Sequence, residues 1–120
     1  MTKMMSFSKY EHKVLPGLRD QLNQAESVED VKKFFVDTIL KFLSLATDGN
    51  TIAEYEDISL VPDQEPYFSL TPQLSNDIAI KELANSDLDA ILGRLAEQAA
   101  NRYKHLAKNN TKTNLKIKNH

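Results

Sequence analysis

With 120 residues, 41% of them apolar and 27% charged, the chain has the length of one domain and enough oil for a single core. It holds no cysteine, which excludes disulfides, thiol nucleophiles and thiolate metal sites. The net charge of −2 conceals a division: ten acids between Asp48 and Asp89 face only Lys81, whereas Arg102, Lys104, Lys108, Lys112, Lys116 and Lys118 follow Glu97 with no acidic side chain among them. Charge segregated in this way favours association with charged partners or with a second copy.

The N-terminal residues carry Lys3 but run into Ser6-Phe7-Ser8-Lys9, with no apolar run of the kind a secretory signal needs. Phe7, Tyr10, Val14, Leu18, Leu22 and Ala25 then recur at steps of three and four, which predicts an amphipathic helix over 7–25. Ser8 and Glu11 have capping-box spacing. Pro16 interrupts the backbone bonding of this helix, but the stripe keeps its phase across it, so a kink is expected and not a restart.

Ser27 and Asp30 start a second helix, over 28–47, on the stripe Val28, Val31, Phe35, Ile39, Phe42 and Ala46. Phe34, Val36, Leu40, Leu43 and Leu45 widen its apolar face and leave Lys33, Asp37, Lys41 and Ser44 as one narrow polar strip, with the first three spaced for pairing. So greasy a helix must be covered from several sides, by other helices or by another subunit. The run from Phe34 to Ala46, broken by Asp37 and Lys41, is too short to span a bilayer. Gly49 or Asn50 is placed to end the helix in a left-handed conformation.

Residues 51–70 are irregular. Ile58–Val61 and Tyr67–Leu70 read as short extended segments, but Pro62 and Pro66 between them argue for edge strands or an extended crossover as much as for a hairpin. Thr71-Pro72 is a cap followed by proline at the first helical position, and Leu74, Ile78, Lys81 and Leu83, with Ile80 and Ala84 beside them, continue a third helix over 72–85. Ser86 and Asp89 signal a fourth over 87–108, with Leu88, Ile91, Leu92, Leu95, Ala99, Tyr103 and Leu106 as its apolar face. Gly93, Ala96 and Ala100 form an adjacent small-residue face suited to close helix approach, and the acids at the start and bases at the end match the helix dipole. Residues 109–120 turn to Asn, Thr and Lys around Leu115 and Ile117, the composition of a flexible basic tail.

Motifs that carry chemistry are missing. Asp48-Gly49-Asn50 begins like a calcium loop, but its glycine is misplaced and Ser59 stands where a bidentate Glu is required. Glu54, Glu56, Asp57, Asp63 and Glu65 have no spacing that implies a cage, and His12, His105 and His120 lack any zinc-helix partner. There is no GxSxG, GxxxxGK[ST] or GxGxxG element. No cofactor or metal is therefore expected.

The fold expected is mainly α: a four-helix bundle in residues 1–108, with an extended acidic crossover or short β-hairpin between the second and third helices, and a tail over 109–120. The function expected is that of a non-catalytic, cytoplasmic interaction or regulatory module that self-associates as a homodimer or larger oligomer, without a membrane. Phe34, Leu40, Leu43, Tyr55, Tyr67 and Phe68 are the candidate partner contacts, since aromatic and large apolar residues are over-used at interface centres. The alternative is an accessory nucleic-acid binder that neutralises phosphates with Arg102, Lys104, Lys108, Lys112, Lys116 and Lys118. An enzyme ranks third.

Overall fold

A computed structural model describes residues 7–49, 53–77 and 87–118, with side chains described as far as Lys108. In chain order the elements are α1 (Ser8–Gln24), α2 (Val28–Ala46), a 3-10 turn (Tyr55–Asp57), β1 (Ile58–Leu60), β2 (Phe68–Leu70), the one-turn α3 (Pro72–Ser75) and α4 (Leu88–Lys118). The protein is mainly helical, with a two-stranded antiparallel sheet.

α1 runs unbroken through Pro16 and buries Val14, Leu18 and Leu22. Its start differs from the expected capping box. Phe7 is the N-cap and contributes no side-chain bond; instead the Asp87 carboxylate accepts from the Phe7 N–H at 2.9 Å and from the Ser8 hydroxyl at 3.4 Å. Glu11 is occupied elsewhere, and a carboxylate from a distant segment satisfies the Phe7 N–H in its place. α2 starts as expected: Ser27 accepts from the Asp30 N–H at 3.1 Å, while Asp30 reaches back to the Glu26 N–H. At its end Gly49 takes the left-handed conformation (φ 78°), and its N–H bonds the Ser44 carbonyl. Asn50 lies outside the described residues.

Within the body, Val31, Phe35, Val36, Ile39, Phe42 and Leu43 of α2 are buried against α1, α4 and β1. Each such side chain is worth about 1.5–3 kcal/mol when fully removed from water, so α2 anchors the core. The excess oil sits on its shoulders. Phe34 and Leu45 flank one side of the buried arc and Leu40 the other, all half-buried and packed against the core. Lys33, Asp37 and Lys41 are exposed and form no ion pair among the described residues, contrary to their spacing; in water two long side chains gain little by pairing.

The extended segments do form a hairpin, in the register Ile58↔Leu70, Ser59↔Ser69, Leu60↔Phe68. The two prolines are accommodated because both fall in the 61–67 loop and neither enters the ladder. Ile58 and Leu60 point into the core while Ser59 is exposed. Thr71 caps α3, accepting from the Leu74 N–H, with Pro72 at the first helical position. The helix described there ends at Ser75, with Asn76 in a turn and Asp77 outside any helix, so the expected 72–85 helix does not run on unbroken from Pro72; Ile78, Ile80, Lys81, Leu83, Ala84 and the Ser86 cap lie outside the described residues.

α4 buries the expected face at Leu88, Ile91, Leu92, Leu95, Ala99 and Leu106. Of the small-residue face, Ala96 and Ala100 are buried by the chain's own elements, whereas a Cβ at Gly93 would meet nothing within 4 Å. The helix backbone continues past the expected boundary at 108 to Lys118. Glu11 of α1 meets Arg94 of α4, and the end of α1 meets Arg102, so the two helices run parallel. Lys32 near the start of α2 lies over Tyr103, so α2 runs antiparallel to both. No helix among the described residues is long and apolar enough to cross a membrane.

Candidate functional site

Two features of the surface stand apart from plain packing. The first is the acidic turn before β1. Asp57 holds it from both sides: its Oδ2 accepts from the Glu54 N–H at 2.9 Å and its Oδ1 from the Thr71 hydroxyl at 2.7 Å. The Thr71 N–H also donates to the Asp57 carbonyl at 2.9 Å, tying the turn to the strand that returns. The Glu54 amide and, after it, the Thr71 hydroxyl hold the Asp57 carboxyl below its ordinary range. On this fixed turn stand Glu54, Tyr55 and Glu56, all exposed. Tyr55, at 44% relative exposure, is the one large hydrophobic residue left in solvent among the described residues. An aromatic ring between two carboxylates on a braced turn is presented outward at little conformational cost.

The second is a groove of about 420 Å³ between α1 and α4. Arg19 and Asn23 line it from α1, and Gln98, Asn101, Arg102 and His105 from α4, over a floor made by Leu22. Arg102 Nη2 donates to the Ala25 carbonyl at 3.2 Å and to the Asn23 carbonyl at 3.5 Å. It thereby closes the C-terminus of α1, where a cation complements the dipole. Its Nε–H is buried and meets no acceptor among the described residues.

The partner residues expected from sequence do not gather into one face. Leu43 is 1% exposed and spent on the core, so it offers no surface; the width of α2's apolar arc reflects the number of elements packed on it. Phe34 and Leu40 are half-buried on opposite shoulders of α2. Tyr67 and Phe68 pack against the core and clamp the hairpin down. The Tyr67 hydroxyl donates to Glu65 at 3.4 Å, and desolvation, followed by the charge of Glu65, raises its pKa. Of the six, only Tyr55 is exposed.

The expected basic surface is also partly committed within the chain. Arg102 caps α1, and Lys104 lies over the Tyr67 ring, 5.3 Å from its centroid. Lys108 is exposed, while the side chains of Lys112, Lys116 and Lys118 lie outside the described residues. His105 is not at a helix end, because α4 continues beyond it.

Sequence reasoning missed the Glu11–Arg94 pair, a fork of two 2.9 Å bonds between residues 83 apart. It also missed Asp87 as the cap of α1, 80 residues away from Phe7, and Arg102 as its C-terminal closure. Only a parallel placement of α1 and α4 brings these groups together, and no local spacing encodes that. The chain matches no family model, no curated protein and no solved structure.

Proposed function

We propose that this protein is a non-catalytic, cytoplasmic interaction or regulatory module that associates with itself. The observation that carries the proposal is Tyr55, exposed between Glu54 and Glu56 on a turn pinned by Asp57. A rigid aromatic costs little to immobilise on binding, and rim carboxylates steer a basic partner toward it. The complementary surface within the same chain is the basic C-terminal part of α4, which carries no acidic side chain after Glu97. Two copies in which the acidic turn of one meets the basic helix end of the other would satisfy both. The four-helix bundle belongs to the same proposal; α1, α2 and α4 are three of its members, and the single turn Pro72–Ser75 is what is described of the expected third helix.

Light scattering at high micromolar concentration tests this. Association is expected, weakened by added salt as attraction between exposed charges is screened. Tyr55→Ser should abolish it while changing folding stability by less than about 0.5 kcal/mol, as for an exposed side chain. A strict monomer across the concentration range would defeat the proposal. Nucleic-acid binding through the basic residues is the weaker alternative, because it gives no role to Tyr55 and the carboxylates of Glu54 and Glu56 beside it.

A further inference from the structure

We propose that the groove between α1 and α4 binds a small phosphorylated molecule. The groove shares Arg102 with the basic part of α4 but includes neither Tyr55 nor the acidic turn, so Tyr55→Ser should leave ligand binding unchanged and separates this proposal from self-association. The lining includes no carboxylate; it combines Arg19, Arg102 and His105 with the amides of Asn23, Gln98 and Asn101. Arg19 has no ion-pair partner among the described residues. The carbonyl end of α1 is the natural negative counterweight, and Arg102 already takes it up through Nη2. The buried Arg102 Nε–H is a second charged donor without an acceptor, a rare and costly state for a closed surface.

Ligand chemistry follows from the residue types. Guanidinium groups present forked donors that match the oxygens of a phosphoryl group, with charge-assisted bonds about twice as strong as neutral ones. Three primary amides offer both donors and acceptors, suited to the hydroxyls or heteroatoms of a polar body attached to the phosphate. At about 420 Å³ the space falls within the range of small-molecule sites and exceeds what a lone oxyanion fills. The apolar floor at Leu22 gives that body a surface to lie on.

The test is an NMR titration of the full chain at fixed ionic strength with inorganic phosphate, ribose 5-phosphate, phosphate-free ribose and a short single-stranded oligonucleotide. Saturable shifts are expected at the side-chain amides of Asn23, Gln98 and Asn101 with both phosphates, and none with ribose. Arg19→Gln, at an exposed position without a structural bond, should weaken binding by about tenfold or more. Lys13→Gln, a change of the same charge in a different groove, should leave it unchanged. Shifts that grow linearly without saturation, affinity indifferent to Arg19→Gln, or saturation by the oligonucleotide alone would each overturn the proposal.

Discussion

The helical body and the segment 53–77 are held by different means. In the body, α1, α2 and α4 bury long rows of large side chains, with Phe35, Phe42, Ile91, Leu92 and Leu95 all removed from solvent. In the 53–77 segment only Ile58, Leu60 and Leu74 are buried, and its shape is set instead by the bonds that converge on Asp57 and Thr71. Apolar burial is non-directional and additive, so it supplies stability without dictating one local conformation. Hydrogen bonds supply little net stability but fix geometry. The body should therefore govern whether the protein folds, and the polar brace should govern how Tyr55 is presented.

The sharpest way to break that contrast is at the centre of the body. Phe42→Ala removes a fully buried ring from the face of α2 that meets α1 and α4. The expected loss is about 3–5 kcal/mol, from lost transfer energy and the cavity left behind. Against a total of about 5–15 kcal/mol this is severe. Urea unfolding should show a lower midpoint at an unchanged slope. A loss below about 1 kcal/mol would mean that the body is not the stabilising region.

A smaller effect separates the two partners of the ion pair that joins α1 to α4. The Glu11 side chain is 9% exposed and that of Arg94 54%, so deleting one partner is not equivalent to deleting the other. Arg94→Ala strands a buried carboxylate, whereas Glu11→Gln leaves an amide oxygen that still accepts from an exposed guanidinium. Arg94→Ala should cost about 1–2 kcal/mol and Glu11→Gln roughly half of that, both reduced by exposure of the arginine and by salt. Equal midpoints for the two variants in urea would show that burial of Glu11 has no energetic consequence.

These cases also mark how far the sequence could be read. The stripes of α1, α2 and α4, the Ser27 and Thr71 caps and the Gly49 stop are local, so three- and four-residue spacing and single-residue conformational preferences suffice to find them. Tyr55 was legible as an aromatic among acids, but its exposure was not, because that depends on what packs nearby. Phe34, Leu40 and Leu43 looked alike as surplus oil; only the angular position of each around α2, relative to its neighbours, separates a core residue from a shoulder. Arg102 looked like one base among six, and its role as the closure of α1 follows from the parallel course of α4. Whatever depended on which helices are neighbours was invisible in one dimension.

The smallest global effect is expected where the brace is weakest in energy and strongest in geometry. Asp57→Asn removes the charge from both bonds and replaces one acceptor oxygen by an amide N–H, so the Thr71 hydroxyl must turn to accept or lose its bond, and the brace weakens. The urea midpoint of the body should barely move, while amide exchange at Glu54 accelerates as the turn opens locally. The pH dependence has a definite sign. The folded-state pKa of Asp57 is depressed, so its contribution is fully present above its ordinary value of 3.8 and fades as pH falls from there through the lowered folded value. The wild-type Glu54 amide should thus lose protection only in that acid range, and Asp57→Asn should lack the transition. Coincident loss of Glu54 protection and of the helical body, in either protein, would show that the turn is no separate unit and that the two regions share one means of support.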